Sequence, residues 1–402
     1  MSKDKYIRPE FSVGQIFRRS GQKYERTHAM TKRHRKALSD IACCRTAHLG
    51  GHKEKCADCG RVRPVYNSCG NTHCPTCQGK RRKLWVEERR EKLLPVSYFH
   101  CVFTLPHELI KLIAFNQRVL YNLLFRCSAD TILAFSQKQF QAVPAIISTL
   151  HTWGQTLCKH PHVHMLVTGG GLGEDDQWHS SNETYLFDAK ELSDDFKIRY
   201  LRGLKRLHKK GSLEQAQNFD KVYEQIEGKH WVVDCRKPFA GAEIILEYLG
   251  RYVYRSAIAN SRIKNIDDGT VTFDYKDYKD KDVYGVPKHK PKKLSDEKFI
   301  GQFLQHILPK GFRRSRFYGL LGGAQSDSKI ERCREIFAEK IEQSRLRREL
   351  KDLRKANEPK KGESWRACPH CGCCKFTEGD IIFPQHPPPI EFAYREEFAL
   401  RA

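Results

Sequence analysis

Seven of the sixteen cysteines in this 402-residue chain fall between Cys43 and Cys77, and four more fall between Cys368 and Cys374. Clustering of that kind limits what either segment can fold into. The N-terminus, Met-Ser-Lys-Asp-Lys-Tyr, lacks the apolar core of a secretion signal, so the cysteines read as metal ligands and the chain as cytoplasmic. Cys56-Ala-Asp-Cys59 and Cys74-Pro-Thr-Cys77 are two knuckles fourteen residues apart, close to the spacing of a zinc ribbon. Each knuckle offers two thiolates on one turn, and a tetrahedral Zn2+ needs two such turns. The expected site is therefore Cys56, Cys59, Cys74 and Cys77. Cys44, His52, Cys69 and His73 are also of ligand type, either for a second zinc or as donors orienting the first. A four-thiolate site is coordinatively closed, so the module should bind DNA or brace the fold, not take substrate. Cys368-Pro-His-Cys371 with Cys373 and Cys374 reads as a further small zinc knuckle or as a flexible tail.

Charge narrows the partner. A formal net charge of +24, from 72 Lys and Arg against 48 Asp and Glu, exceeds what solubility requires and points to nucleic acid, held partly by counterion release. The 39% hydrophobic content is ordinary for a globular protein, and no apolar run approaches the length needed to cross a bilayer. The pattern along the chain is α+β. Residues 1–95 form a basic, cysteine-rich module with helical pattern at 34–41 and 81–94, where Lys80-Arg-Arg-Lys83 could meet phosphates. Residues 96–325 open with an aromatic, β-branched strand at 97–105 and a helical stretch at 106–136. They continue through strand pattern at 231–235, an amphipathic helix at 241–256 and a hairpin signal at Asp267-Asp-Gly269, and a helix at 299–308 follows. Residues 326–402 read as a basic helical tail, with a helix at 328–355 and a Pro- and Gly-containing link at 358–362.

Chemistry concentrates in His160-Pro-His162-Val163-His164-Met165-Leu166-Val167. On a strand, His162 and His164 share one face while Val163, Met165 and Val167 enter the core behind them. Two imidazoles on one face are half of a site for a divalent cation. The third ligand is expected to be Gln155, seven residues before His162, or His160 on the same face. Downstream, Tyr248-Leu-Gly-Arg-Tyr252 puts two phenols at i, i+4, on one helix face and about 6 Å apart along the axis. Ordinary helices bury tyrosines at this spacing. Beside a metal strand in a basic chain they also suit nucleophiles that store a broken phosphodiester as a 5′-phosphotyrosine bond. Tyr254 is nearby but would point to the far side of the helix from Tyr252. In the segment 312–318 arginines and aromatics alternate, which favours DNA contact through Arg313, Arg314 and Arg316, and Lys288-His-Lys-Pro-Lys-Lys293 suits a backbone-tracking groove or a polar linker.

In order, Cys44 and His52, Cys56-x2-Cys59, Asn67-Ser-Cys69 and His73-Cys74-Pro-x-Cys77-Gln78 are followed by Phe103-Thr-Leu-Pro-His107, His160-Pro-His162-x-His164 and Tyr248-Leu-Gly-Arg-Tyr252. Leu308-Pro-Lys-Gly-Phe312 and Tyr318-Gly-Leu320 complete the series. This order resembles the insertion-sequence 91 family of rolling-circle transposases. The resemblance implies a His-hydrophobic-His nuclease domain, a small antiparallel sheet flanked by helices, behind an N-terminal zinc-binding, DNA-binding domain. It implies single-stranded DNA cleavage and rejoining at element ends with Mg2+ or Mn2+, with metal ligands at His162 and His164 and nucleophiles at Tyr248 and Tyr252. It also implies a prokaryotic mobile element whose enzyme works at the nucleoid. Where many members continue with Thr-His after the second tyrosine, this chain has Val253-Tyr254. A plasmid replication initiator or relaxase would use the same chemistry. Two other readings are a non-catalytic zinc regulator and a histidine-triad hydrolase using His160, His162 and His164, and neither gives the tyrosine pair a role.

Overall fold

The computed structural model describes residues 9–78, 93–182, 185–236, 256–343, 345–346, 368, 370–373 and 375–384. Two helices, α1 (Val13–Thr27) and α2 (Lys32–Cys43), precede the hairpin β1 (Gly51–Cys56) and β2 (Val62–Tyr66). Strand β3 (Tyr98–Thr104), helices α3 (Ile110–Phe115) and α4 (Gln117–Phe140), and strands β4 (Ala142–Val143), β5 (Ala145–Trp153), β6 (Lys159–Thr168), β7 (Gly170–Gly173) and β8 (Trp178–Ser180) follow. Next come α5 (Ala189–Lys209), α6 (Phe219–Glu227), β9 (Val232–Arg236), β10 (Ile263–Asp267), β11 (Thr270–Lys281) and β12 (Pro287–Ser295). The described chain ends with α7 (Asp296–Leu304), β13 (Ser315–Gly319), α8 (Ser326–Ile336) and β14 (Phe376–Ile382). The architecture is the expected α+β one, antiparallel sheets flanked by helices.

Alternation decides the central sheet, whose strand order is β13-β5-β6-β3-β9 with every neighbour antiparallel. On β6, Val163, Met165 and Val167 are 0% exposed, and they join Phe99, Cys101 and Phe103 of β3 in the main core. Helices α4 and α5 cover that face, with Leu124, Phe196 and Tyr200 packed against it and Phe103 meeting Phe196 edge-on at 5.1 Å between ring centres. The other face carries the histidines. Turning either strand over by one register step would bury imidazoles and expose valines, so the apolar set fixes which way the histidines point.

A second core forms where α1, α2, α7 and the β10–β11 hairpin converge on Ile16, Phe17, Leu38, Ile41, Phe273, Phe299 and Phe303. Trp153 and Leu157, at the end of β5 and in the turn after it, plug into this core from the central sheet. Helix α1 begins at a capping box in which Ser12 and Gln15 satisfy each other's backbone amides, and Val13, Ile16 and Phe17 at i, i+3 and i+4 form its buried stripe. Arg19 Nε donates to Asp296 Oδ2 at 2.7 Å, joining α1 to the first turn of α7. The expected divisions at residues 95 and 325 are therefore both crossed by packing. The N-terminal helices share a core with residues 257–307, and β14 from the tail completes the sheet β14-β1-β2. The segment 288–293 is part of β12, paired with β11 throughout, not a linker. The Asp267-Asp-Gly269 signal does turn β10 into β11, with Asp268 and Gly269 at φ of 34° and 68°.

The second core also carries a pH signature. His306 is 2% exposed; its Nδ1 accepts from the Thr152 hydroxyl at 3.1 Å and its Nε2–H donates to the Leu157 carbonyl at 3.1 Å. Burial, and next to it Lys159 and Arg314, push its pKa down to about 3 against the pull of the Leu157 carbonyl. The folded protein thus binds this proton more weakly than the unfolded chain, so stability is complete above about pH 6.5 and falls as the pH drops toward 3. At pH 5.0 the loss from His306 alone should be about 2 kcal/mol. Urea unfolding at pH 7.5 and 5.0 should show His306→Gln losing that much less between the two pH values than the parent.

Candidate metal centres

The β5–β6 ladder pairs Thr149 with His164 and His151 with His162. Three imidazoles therefore gather on one face, and one ring nitrogen from each of His151, His162 and His164 lies within 4.8 Å of the others. His162 Nδ1–H donates to the His160 carbonyl at 2.6 Å, which turns Nε2 toward His164 Nε2, 3.1 Å away. Two imidazole nitrogens so close either share a proton or flank a cation, and nitrogens about 2.1 Å from one ion at right angles stand about 3.0 Å apart. The donor set thus fits a divalent metal. His164 Nδ1 meets His100 Nε2 of β3 at 2.9 Å, so a fourth imidazole fixes the rotation of the second. Burial pushes His100 down to about 4, with Asp234 pulling the other way, which keeps it neutral as a hydrogen-bond partner. His151 is 1% exposed and stacks on Trp153 with ring centres 4.6 Å apart, so the third imidazole is held by the second core.

The third imidazole of this group is His151, a residue outside the expected pair of candidates, Gln155 and His160. Gln155 sits in the β5–β6 turn beyond the Trp153–Lys159 pair, past the end of the ladder the imidazoles share, and its backbone carbonyl accepts from Arg262. His160 contributes through its backbone carbonyl, with its ring exposed and 5.0 Å from that of His162. His151 escaped notice because β5 is buried on both faces and shows no alternation. The signal was the hairpin itself: folding β5 onto β6 about the turn at 154–158 sets residue 151 opposite 162.

Eight of the cysteines sort into two groups of four, and neither group is the expected Cys56, Cys59, Cys74 and Cys77 set. Cys44, Cys69, Cys74 and Cys77 come together in the second core, with Cys44 Sγ and Cys69 Sγ each 3.6 Å from Cys77 Sγ. Cys56 and Cys59 lie with Cys368 and Cys371 instead. The pairing of Cys56 and Cys59 with Cys74 and Cys77 is thus not what forms, because one knuckle ends β1 in the outer sheet while the other is anchored under α2. The other expected ligands are committed elsewhere. His73 Nε2 accepts from the Leu308 amide at 3.2 Å, joining the second knuckle to the Leu308-Pro309 segment, and burial pushes its pKa down to about 3. His52 on β1 faces Glu54 at 3.4 Å, which also takes Arg63.

Of the arginines expected at DNA, Arg313 is exposed. Arg314 lies over Trp153 at 5.6 Å, and burial lowers its pKa to about 10. Arg316 caps the Phe125 ring at 4.2 Å and donates to Asn122, so its side chain is held against α4. Lys288 and Lys290 pair with Asp277 and Asp280 across the β11–β12 ribbon. Tyr248, Tyr252 and Tyr254, the helix expected at 241–256, the basic run 80–83 and Cys374 lie outside the described residues. No helix among the described residues is long and apolar enough to cross a membrane.

Two segments of the chain match known protein families. A family model described as "Transposase zinc-binding domain" matches residues 16–105, and one described as "Putative transposase" matches residues 145–329. Among curated proteins, "Putative transposase y4qJ" of Sinorhizobium fredii (strain NBRC 101917 / NGR234) is 37% identical over 372 residues, covering 89% of this chain and 92% of the relative. "Transposase for insertion sequence element IS801" of Pseudomonas savastanoi pv. phaseolicola is 30% identical over 293 residues, covering 71% of this chain and 69% of the relative. No solved structure matches the chain. With both segments matched by transposase family models and both relatives covering more than two thirds of its length, the chain belongs to the insertion-sequence 91 family of transposases.

Proposed function

We propose that the chain cleaves and rejoins single-stranded DNA at element ends through covalent 5′-phosphotyrosine intermediates on Tyr248 and Tyr252. The observation that carries this reading is the convergence of His151, His162 and His164 on one sheet face. His151, His162 and His164 would hold a divalent cation there, which would neutralise charge at the scissile phosphate. Three imidazole nitrogens suit Mn2+ better than the oxygen-seeking Mg2+. His100 and the His160 carbonyl hold two of the rings in register. A tyrosine phenolate oxygen then bonds to phosphorus as the bond from phosphorus to the 3′-oxygen breaks. The phenolic proton is released, the leaving oxygen takes up a proton as a 3′-hydroxyl, and the reverse reaction on a new 3′-hydroxyl rejoins strands. Two tyrosines allow two cleavages before the final transfer. Such an enzyme works where its DNA lies, in the cytoplasm at the nucleoid of a prokaryotic host.

The test is a labelled single-stranded oligonucleotide carrying the element end, incubated with the protein and Mn2+. An SDS-resistant protein–DNA adduct should form, and the Tyr248→Phe, Tyr252→Phe double variant should form none. An adduct that survives the double change moves the nucleophile elsewhere, with Tyr254 the first residue to replace. Absence of an adduct in the parent overturns the covalent mechanism.

A further inference from the structure

We propose that Cys56, Cys59, Cys368 and Cys371 bind a second Zn2+ that clasps the C-terminal segment onto the N-terminal zinc-binding domain. Half of this site lies outside both segments matched by the family models, which end at residues 105 and 329. Cys56 Sγ is 3.5 Å from Cys371 Sγ, Cys59 Sγ is 3.6 Å from Cys368 Sγ, and all four sulfurs lie within 4.8 Å of one another. A tetrahedron of thiolates with Zn–S bonds of about 2.3 Å has edges of about 3.8 Å. A disulfide needs sulfurs about 2.05 Å apart and joins only two at a time.

The two half-sites are built alike. In Cys56-Ala-Asp-Cys59-Gly60 the Gly60 amide donates to the Cys56 carbonyl at 3.0 Å, and in Cys368-Pro-His-Cys371-Gly372 the Gly372 amide donates to the Cys368 carbonyl at 2.9 Å. Both glycines are left-handed, at φ of 68° and 74°, so the same knuckle turn is made twice and the two face each other. The Cys74 knuckle is different: it is a helical turn in which Gln78, not a glycine, follows the second cysteine. Like therefore pairs with like across more than three hundred residues of sequence.

Strand pairing brings the halves together. β14 lies antiparallel to β1, from Gly51 opposite Ile382 to Cys56 opposite Phe376, and the Ala57 amide donates to the Lys375 carbonyl at 3.0 Å. Arg63 caps the Phe376 ring at 3.8 Å, and Lys53 pairs with Asp380 at 3.0 Å. Without β14 the sheet is a two-stranded hairpin, which is marginal alone. The metal and the third strand thus support one another, and the inference does not depend on the tyrosine mechanism.

Zinc content of the full-length reduced protein, dialysed into Mg2+ buffer, tests it. Cys368→Ser with Cys371→Ser should hold one zinc fewer per chain than the parent, and Cys371→His, which keeps a ligand, should recover it. Amide exchange at residues 376–382 should speed up at least tenfold in the double serine variant and return toward the parent in Cys371→His. Unchanged zinc content in the double variant, a zinc loss that leaves exchange at 376–382 unaltered, or a mass two hydrogens short under non-reducing conditions from a disulfide would each overturn the clasp.

Discussion

Replacing His164 with alanine should lower single-strand cleavage by about a thousandfold or more while leaving the protein folded. The side chain projects from the face of β6 opposite the main core, so its removal leaves Val163 and Met165 packed as before. What goes is one of three converging nitrogens and, with it, the contact of His164 Nδ1 with His100 Nε2. His162→Ala should behave alike. His100→Leu removes no member of the cluster but frees the His164 ring to rotate, and its Mn2+ affinity should fall by about 10- to 100-fold, less than in either alanine variant. Calorimetric titration with Mn2+ and the adduct assay, run on the same preparations, separate the two effects. Cleavage within tenfold of the parent in His164→Ala would remove the histidine sheet from the mechanism. His151→Ala is the less clean variant, because a buried ring stacked on Trp153 leaves a cavity in the second core as well.

How much of this was legible in the sequence depends on how local the signal was. The face of β6 was readable because His162 and His164 alternate with Val163, Met165 and Val167, which leaves one register that buries those three apolar residues. The hairpin at Asp267–Gly269 was readable because turn chemistry sits on two residues. Helix α1 carries a cap and stripe in Ser12, Val13, Gln15, Ile16 and Phe17 that are local enough to read from sequence. The zinc pairing was not readable from spacing, since a C-x2-C knuckle accepts any second knuckle and sequence distance says nothing about which one arrives. Only the glycine that follows Cys59 and Cys371, and not Cys77, marked the matching turns. His151 needed the β5–β6 register, and the shared second core needed contacts between residues 13–43 and 257–307, long-range information that composition and periodicity do not contain.

Breaking the other cysteine group should have the widest consequence. Cys44, Cys74 and Cys77 are 8%, 0% and 7% exposed within the second core, where they pack among residues of α1, α2 and α7. With Cys69 they form a closed four-sulfur set, the kind that binds structural zinc with an apparent free energy of about 10 kcal/mol or more, released into folding. Cys74→Ser with Cys77→Ser should therefore lose one zinc and also the amide protection of α1, α2 and α7 together, whereas the clasp variant loses protection only around β1 and β14. The damage should reach the histidines. Trp153 is a member of the second core and stacks on His151, so melting that core releases the third imidazole. Mn2+ affinity should then fall at least tenfold in Cys74→Ser, Cys77→Ser and stay at the parent's value in Cys368→Ser, Cys371→Ser. Equal Mn2+ affinity in all three proteins would show that the histidine sheet stands on its own core, and would break the proposed link from zinc to nuclease.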